Sequence, residues 1–163
     1  MIQLATYTYG PESQDRLDEA GAPTADGARA ALESFYYALN QRDGEVLAGV
    51  WADHPLVQLN NPVGGILRGR DGISALYDKI FRGPLRLQVT FGDIAEYLGD
   101  DHAVFAGRET GAYRTAEGEV PLAIRTTRYF AYTDRGWRQL HHHGSIDDPA
   151  ALAAYQQAVQ GVA

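Results

Sequence analysis

The sequence predicts a single α+β domain in which helices come first and an antiparallel sheet follows. Three observations predict it. Apolar residues recur at helical spacing between Thr24 and Phe81, the period drops to two after Gly83-Pro84, and short Gly/Asp-rich turns then cut the chain into consecutive hairpins. At 163 residues, with 45% hydrophobic and 21% charged side chains, the chain matches the size and composition of one ordinary core.

Residues 1–23 hold Gly10-Pro11, Gly21 and Pro23 among scattered charges and follow no period, so they read as an arm outside the main core. Such an arm is either a loose tail or a segment packed on a neighbouring subunit, and the tail is the expectation. From residue 24 to 42 one helical face carries Ala28, Ala31, Leu32, Phe35 and Leu39, with Thr24 or Asp26 as cap. Asp43 can cap a second, shorter helix whose stripe is Val46, Leu47, Val50 and Trp51. Leu56 to Asn60 reads as a short strand, stopped by Asn61-Pro62 and Gly64-Gly65. Ile73, Leu76, Tyr77, Ile80 and Phe81 predict a third helix over 70–81. Leu85, Leu87, Val89 and Phe91 then alternate with polar residues, and further strands follow at about 94–98, 103–115, 120–133 and 136–145. Asp148-Pro149 starts a closing helix, 148–163, with Leu152, Tyr155 and Val159 on one side. The domain proper is thus 24–147, and a curved sheet roofed by its helices would leave a cavity between the layers.

A net charge of −7 argues against DNA or an acidic membrane surface as partner. Without cysteine there is no disulfide framework, thiol nucleophile or thiolate metal site. No apolar run is long enough for a membrane span and Met1–Gly10 lacks the pattern of a signal peptide, so the expected location is the cytoplasm.

The order helix, helix, strand ending in Asn61-Pro62-Val63-Gly64-Gly65, helix, then antiparallel strands resembles the nuclear transport factor 2-like superfamily, which includes ketosteroid isomerase and SnoaL-like polyketide cyclases. Trp51-Ala52-Asp53, Gly69-Arg70-Asp71-Gly72-Ile73, Thr127-Arg128 and the run from Asp134 to Ser145 carry the resemblance. That last run is similar to the closing hairpin of SnoaL-like domains and of the association domain of calcium/calmodulin-dependent protein kinase II. The resemblance implies a cone-shaped antiparallel sheet packed against three N-terminal helices, a homodimer built through the outer sheet face, and no cofactor. It implies a small-molecule pocket, with an isomerase, cyclase or dehydratase activity, or alternatively a non-catalytic binding or assembly module. Where the isomerases carry a proton-shuttling aspartate this chain has Asn61, whose amide cannot take up a proton near neutral pH. Phe35 or Tyr37 falls at the place of the family's helix-one tyrosine.

The candidate site residues follow. Arg108 and Arg128 lie in strands, and by resemblance to the kinase association domain both point into the cavity, where a guanidinium would hold an anionic ligand. The alternative is that they face solvent or pair with Glu96, Glu109 or Asp93. His142 is the candidate general acid/base, with hydrogen-bonded packing the plain reading of its neighbours His141 and His143. Asn61, Tyr37 and Trp51 complete the expected ligand-binding set; no metal site is expected, because too few histidines converge.

Overall fold

The computed structural model describes residues 1–160, so the final three positions of the expected closing helix lie outside the described residues. In chain order the elements are β1 (Ile2–Leu4), a 3-10 turn (Glu19–Gly21), α1 (Ala25–Gln41), α2 (Gly44–Val50), β2 (Gln58–Asn60), β3 (Ile66–Arg68), α3 (Arg70–Arg82), β4 (Arg86–Leu98), β5 (His102–Thr115), β6 (Gly118–Thr133), β7 (Gly136–Ser145) and α4 (Pro149–Gln160). The strands form one sheet in the order β1-β4-β5-β6-β7-β2-β3. All neighbours are antiparallel except β2 and β7, which run parallel with Leu59 beside His142.

Local chemistry sets the helix ends. The Thr24 hydroxyl accepts from the Gly27 N–H at 3.1 Å and the Asp43 carboxylate from the Val46 N–H at 3.0 Å, so each removes one unpaired donor from a first turn. Arg42, at φ 61°, takes the left-handed conformation that ends α1. The buried face of α1 holds Ala28, Ala31, Leu32, Phe35, Tyr36 and Leu39. Its alanines let the helix lie close on the sheet, and each fully buried Leu or Phe contributes roughly 1.5–3 kcal/mol.

The sheet is bent by two irregularities. The β4–β5 register shifts between Gly92 and Ala95, where Asp93 sits at φ 50°, and the β6–β7 register shifts between Tyr129 and Phe130. An extra residue on one strand raises the local twist and curls the sheet. Phe91, Phe105, Phe130 and Glu109 are buried on the concave side, where α1 packs against β4 and β7. The period-two pattern anticipates the residues on either side of Gly92-Asp93 as two strands; they form one strand with a bulge.

The N-terminal segment departs most from expectation. It packs on its own chain rather than forming a tail: Ile2–Leu4 pairs with Ala95–Tyr97, Tyr9 bridges to Phe91, and Tyr9 and Ala20 are buried. Glu96 is the reason. Its buried carboxylate accepts from Gln3 at 2.7 Å, from the Tyr7 hydroxyl, and from two Arg29 nitrogens at 2.8 and 3.0 Å, which ties the arm to α1 and β4.

Candidate functional site

Register places the polar interior. Phe105, Arg128 and His142 lie side by side on β5, β6 and β7, and all three point to the concave side. Arg128 is 1% exposed, and α1 roofs it: its Cζ lies 3.6 Å from the centre of the Phe35 ring. The guanidinium donates from Nε to the Tyr36 hydroxyl at 2.9 Å, from one terminal nitrogen to Gln139 Oε1 at 3.0 Å, and from the other to Glu109 Oε1 at 2.9 Å. Tyr36 in turn donates to the same Glu109 oxygen at 2.7 Å. Burial works against the charge on Arg128, but Tyr36 and Glu109 outweigh it and keep the guanidinium charged above its ordinary range. Burial also pushes the Tyr36 phenol well up, so that it stays protonated and donates.

Several interior groups have no partner among the described residues. Both ring nitrogens of His142, Gln139 Nε2 and Thr126 Oγ1 are shielded from solvent and make no hydrogen bond. Three of Arg128's five N–H groups are engaged, which leaves two. Both hydrogen bonds to Glu109 fall on Oε1, which leaves Oε2 without a side-chain partner but reachable by water. Tyr77 and Tyr155, buried beside the cluster, feel the charge of Glu109 without a side-chain hydrogen bond to it. His142 is held neutral: burial first, then Arg128 and the flanking histidines, push its pKa well below the usual value.

The other expected site residues lie elsewhere. Arg108 belongs to the opposite, convex face, directly across from Arg125 and 3.9 Å from Asp147, because residue 109 rather than 108 falls on the inward parity of β5. The two strand arginines therefore lie on opposite faces of the sheet. Glu109, expected as a partner only if the arginines stayed outside a pocket, is Arg128's partner on the concave side of the sheet. Asn61 caps its own turn, its Oδ1 accepting from the Val63 N–H at 3.0 Å. Tyr37 is half-buried at the edge of the core, and it is Tyr36 that reaches the interior. Trp51 is buried next to Gln139, with its indole N–H unpartnered. His141 stands against the Gln58 carbonyl at 3.0 Å on the convex side. Among the described residues no three His, Asp or Glu side chains come together as metal ligands. Tyr36, Glu109 and Gln139 were missed as site residues. The available signal was inward parity: Glu109 is a charged residue at the same parity as Phe105 and Tyr113.

Open depressions lie outside this interior. One of about 700 Å³ is lined by Trp51, Asp53, His54, Arg70, Arg138 and Leu140, and one of about 670 Å³ on the convex face by Arg108, Arg125, His141 and His143.

Comparison with known proteins places this architecture. A model of the SnoaL-like domain matches residues 28–149. A solved structure from Thiobacillus denitrificans, provisionally named as a calcium/calmodulin-dependent protein kinase type II association domain, is 28% identical with a TM-score of 0.60, covering 74% of this chain and 94% of that one. A provisionally named dehydratase from Streptomyces avermitilis is 22% identical with a TM-score of 0.64 over 74% of this chain and 94% of its own. A ketosteroid isomerase-like protein from Erwinia carotovora shares the fold at 16% identity and a TM-score of 0.64, covering 75% of this chain and 95% of that one. Among curated protein sequences none matches.

Proposed function

Because the chain belongs to the SnoaL-like domain family, we propose that its concave interior binds a small, neutral organic molecule bearing a carbonyl or hydroxyl oxygen. One observation carries this reading: on the concave side both ring nitrogens of His142 and Gln139 Nε2 are buried without a partner among the described residues, beside the two remaining N–H groups of Arg128. A buried polar group left unpaired costs about 1–3 kcal/mol, so several on one wall are better explained by an occupant that pairs them than as packing.

The charge balance argues for a neutral rather than an anionic ligand. Glu109 offsets Arg128 and His142 carries no charge, so the cluster offers directed donors without net attraction for a carboxylate. Chemically, the unpartnered oxygen of Glu109 suits removal of a proton, and Arg128 and Gln139 suit an oxygen on which negative charge gathers. That combination fits a cofactor-independent isomerisation, cyclisation or dehydration. His142, kept neutral, serves as a hydrogen-bond partner rather than a charged acid.

A melting-temperature screen of matched pairs tests the reading, since a native-state binder raises stability by mass action. Aromatic and alicyclic ketones and alcohols should raise it in the wild type and lose the effect in Gln139→Leu. Stabilisation by the matching carboxylates alone would overturn the neutral-ligand reading. A second reading, an assembly module, is favoured by the 28% identical structure from Thiobacillus denitrificans. It predicts higher-order assembly and no ligand response.

A further inference from the structure

We propose that α4 is a movable lid over the concave interior and that Tyr155 is the ligand-facing residue it carries, a reading that rests on the interior being a binding site. The helix begins at Pro149, where the match to the family model ends.

Its attachment is much lighter than that of α1. Ten of the 17 residues of α1 are buried, whereas Tyr155 is the sole buried residue among the 12 of α4. The Tyr155 ring sits 5.3 Å from that of Tyr113, on the inward side of β5, so the side chain enters the open end of the bent sheet. Beyond it, Gln156 Nε2 donates to the Val63 carbonyl at 3.0 Å, which ties the helix to the turn after β2. Below its last turn a shallow depression of about 250 Å³, lined by Pro84, Leu85, Arg114, Thr115, Gln157 and Ala158, separates it from the β5–β6 hairpin. A helix held by one buried aromatic, the half-buried Ala158 and Val159 and one side-chain hydrogen bond can swing away without disturbing the sheet, since few buried contacts mean a low local opening free energy. A closed interior needs such a door: Arg128, Glu109 and His142 are each 4% exposed or less. With α4 in place, Tyr155 lies against Tyr113 on the inward side of β5, and its hydroxyl makes no side-chain hydrogen bond among the described residues, which leaves it placed to touch an occupant.

Two measurements on the full chain separate the lid from the site it covers. Amide hydrogen exchange of the wild type should show α4 opening at least about 100-fold more often than β5 and β6, and Tyr155→Ala should remove the remaining protection of α4 while the strands keep theirs. If α4 exchanges only together with β5 and β6, the lid is overturned whatever binds. The second measurement follows 4-fluoroacetophenone by fluorine NMR. The chain has no cysteine, so Val63→Cys with Gln156→Cys creates a unique pair for a short thiol cross-linker. Cross-linking should slow probe entry about 10-fold or more, and Tyr155→Phe should leave entry fast but weaken affinity about 3- to 10-fold. Entry unchanged by the cross-link overturns the lid and leaves the site standing. A probe that binds neither the wild type nor Tyr155→Ala overturns the site itself, and the proposal with it.

Discussion

At the scale of residues, the interior depends on one pair. Arg128 and Glu109 are both buried and 2.9 Å apart, and removal of one partner strands the other in a low-dielectric interior. Glu109→Ala should therefore cost about 3–5 kcal/mol in urea unfolding, and the double change Arg128→Met with Glu109→Leu should cost less than that single one. His142 adds a pH signature. Its folded pKa lies below the ordinary value of 6.5, so below about pH 6.5 the unfolded chain binds a proton that the folded chain refuses. Stability is fully present above that pH and falls as the solution is acidified, by about 1.4 kcal/mol per pH unit for one such group. His142→Phe should flatten this part of the unfolding profile between about pH 6.5 and 5. The family resemblance pointed both Arg108 and Arg128 inward, and only Arg128 lies on the concave side, because period two separates neighbouring faces without saying which face is covered. The sequence hid Tyr36, because three adjacent aromatics on α1 differ only in a helical phase that no periodicity fixes to within one residue.

At the scale of elements, the N-terminal segment and the bulge in β4 belong together. Reading 1–23 as a tail failed because Tyr9, Ala20 and the Glu96 partners are spread singly through a polar stretch, and nothing local signals that they meet a strand some 90 residues away. The three early helices and the hairpin meander were legible because each rests on repeated local periodicity. The parallel pairing of β2 with β7 was not, since it joins residues far apart in the chain. Glu96 is the clasp of the segment. Burial opposes its ionisation, yet Arg29, Tyr7 and Gln3 outweigh that and hold its pKa down to about 2. A depressed carboxyl contributes stability that is present above its ordinary value of 4.5 and is lost as pH falls towards about 2. Glu96→Gln should remove up to about 3 kcal/mol of stability at neutral pH and erase that acid dependence. It should also speed amide exchange at residues 2–9 while α1 keeps its protection.

At the scale of the whole molecule, the convex face is what one chain leaves unfinished. Ile2 and Leu4 are 76% and 74% exposed, and Ile2 pairs with Tyr97, itself 43% exposed, which continues across the sheet to Val104 and Tyr129. An apolar row across a sheet whose other face is fully covered is the place for a second copy, and a standard interface needs about 800 Å² from each partner. We expect sedimentation at micromolar concentration to give twice 17.8 kDa. Each chain carries −7, so two copies repel at long range while the apolar contact holds them together. Raising salt from about 0.01 to 0.3 M shortens the reach of that repulsion and should tighten the dimer. A dimer held instead by Arg108, Arg125 and acidic partners would loosen over the same range. Tyr97→Lys places a charge in the row and should give a monomer whose melting temperature no longer depends on protein concentration, whereas that of the wild type rises with it. A dimer that survives Tyr97→Lys and weakens with salt would move the interface to the arginine-bearing end of the same face.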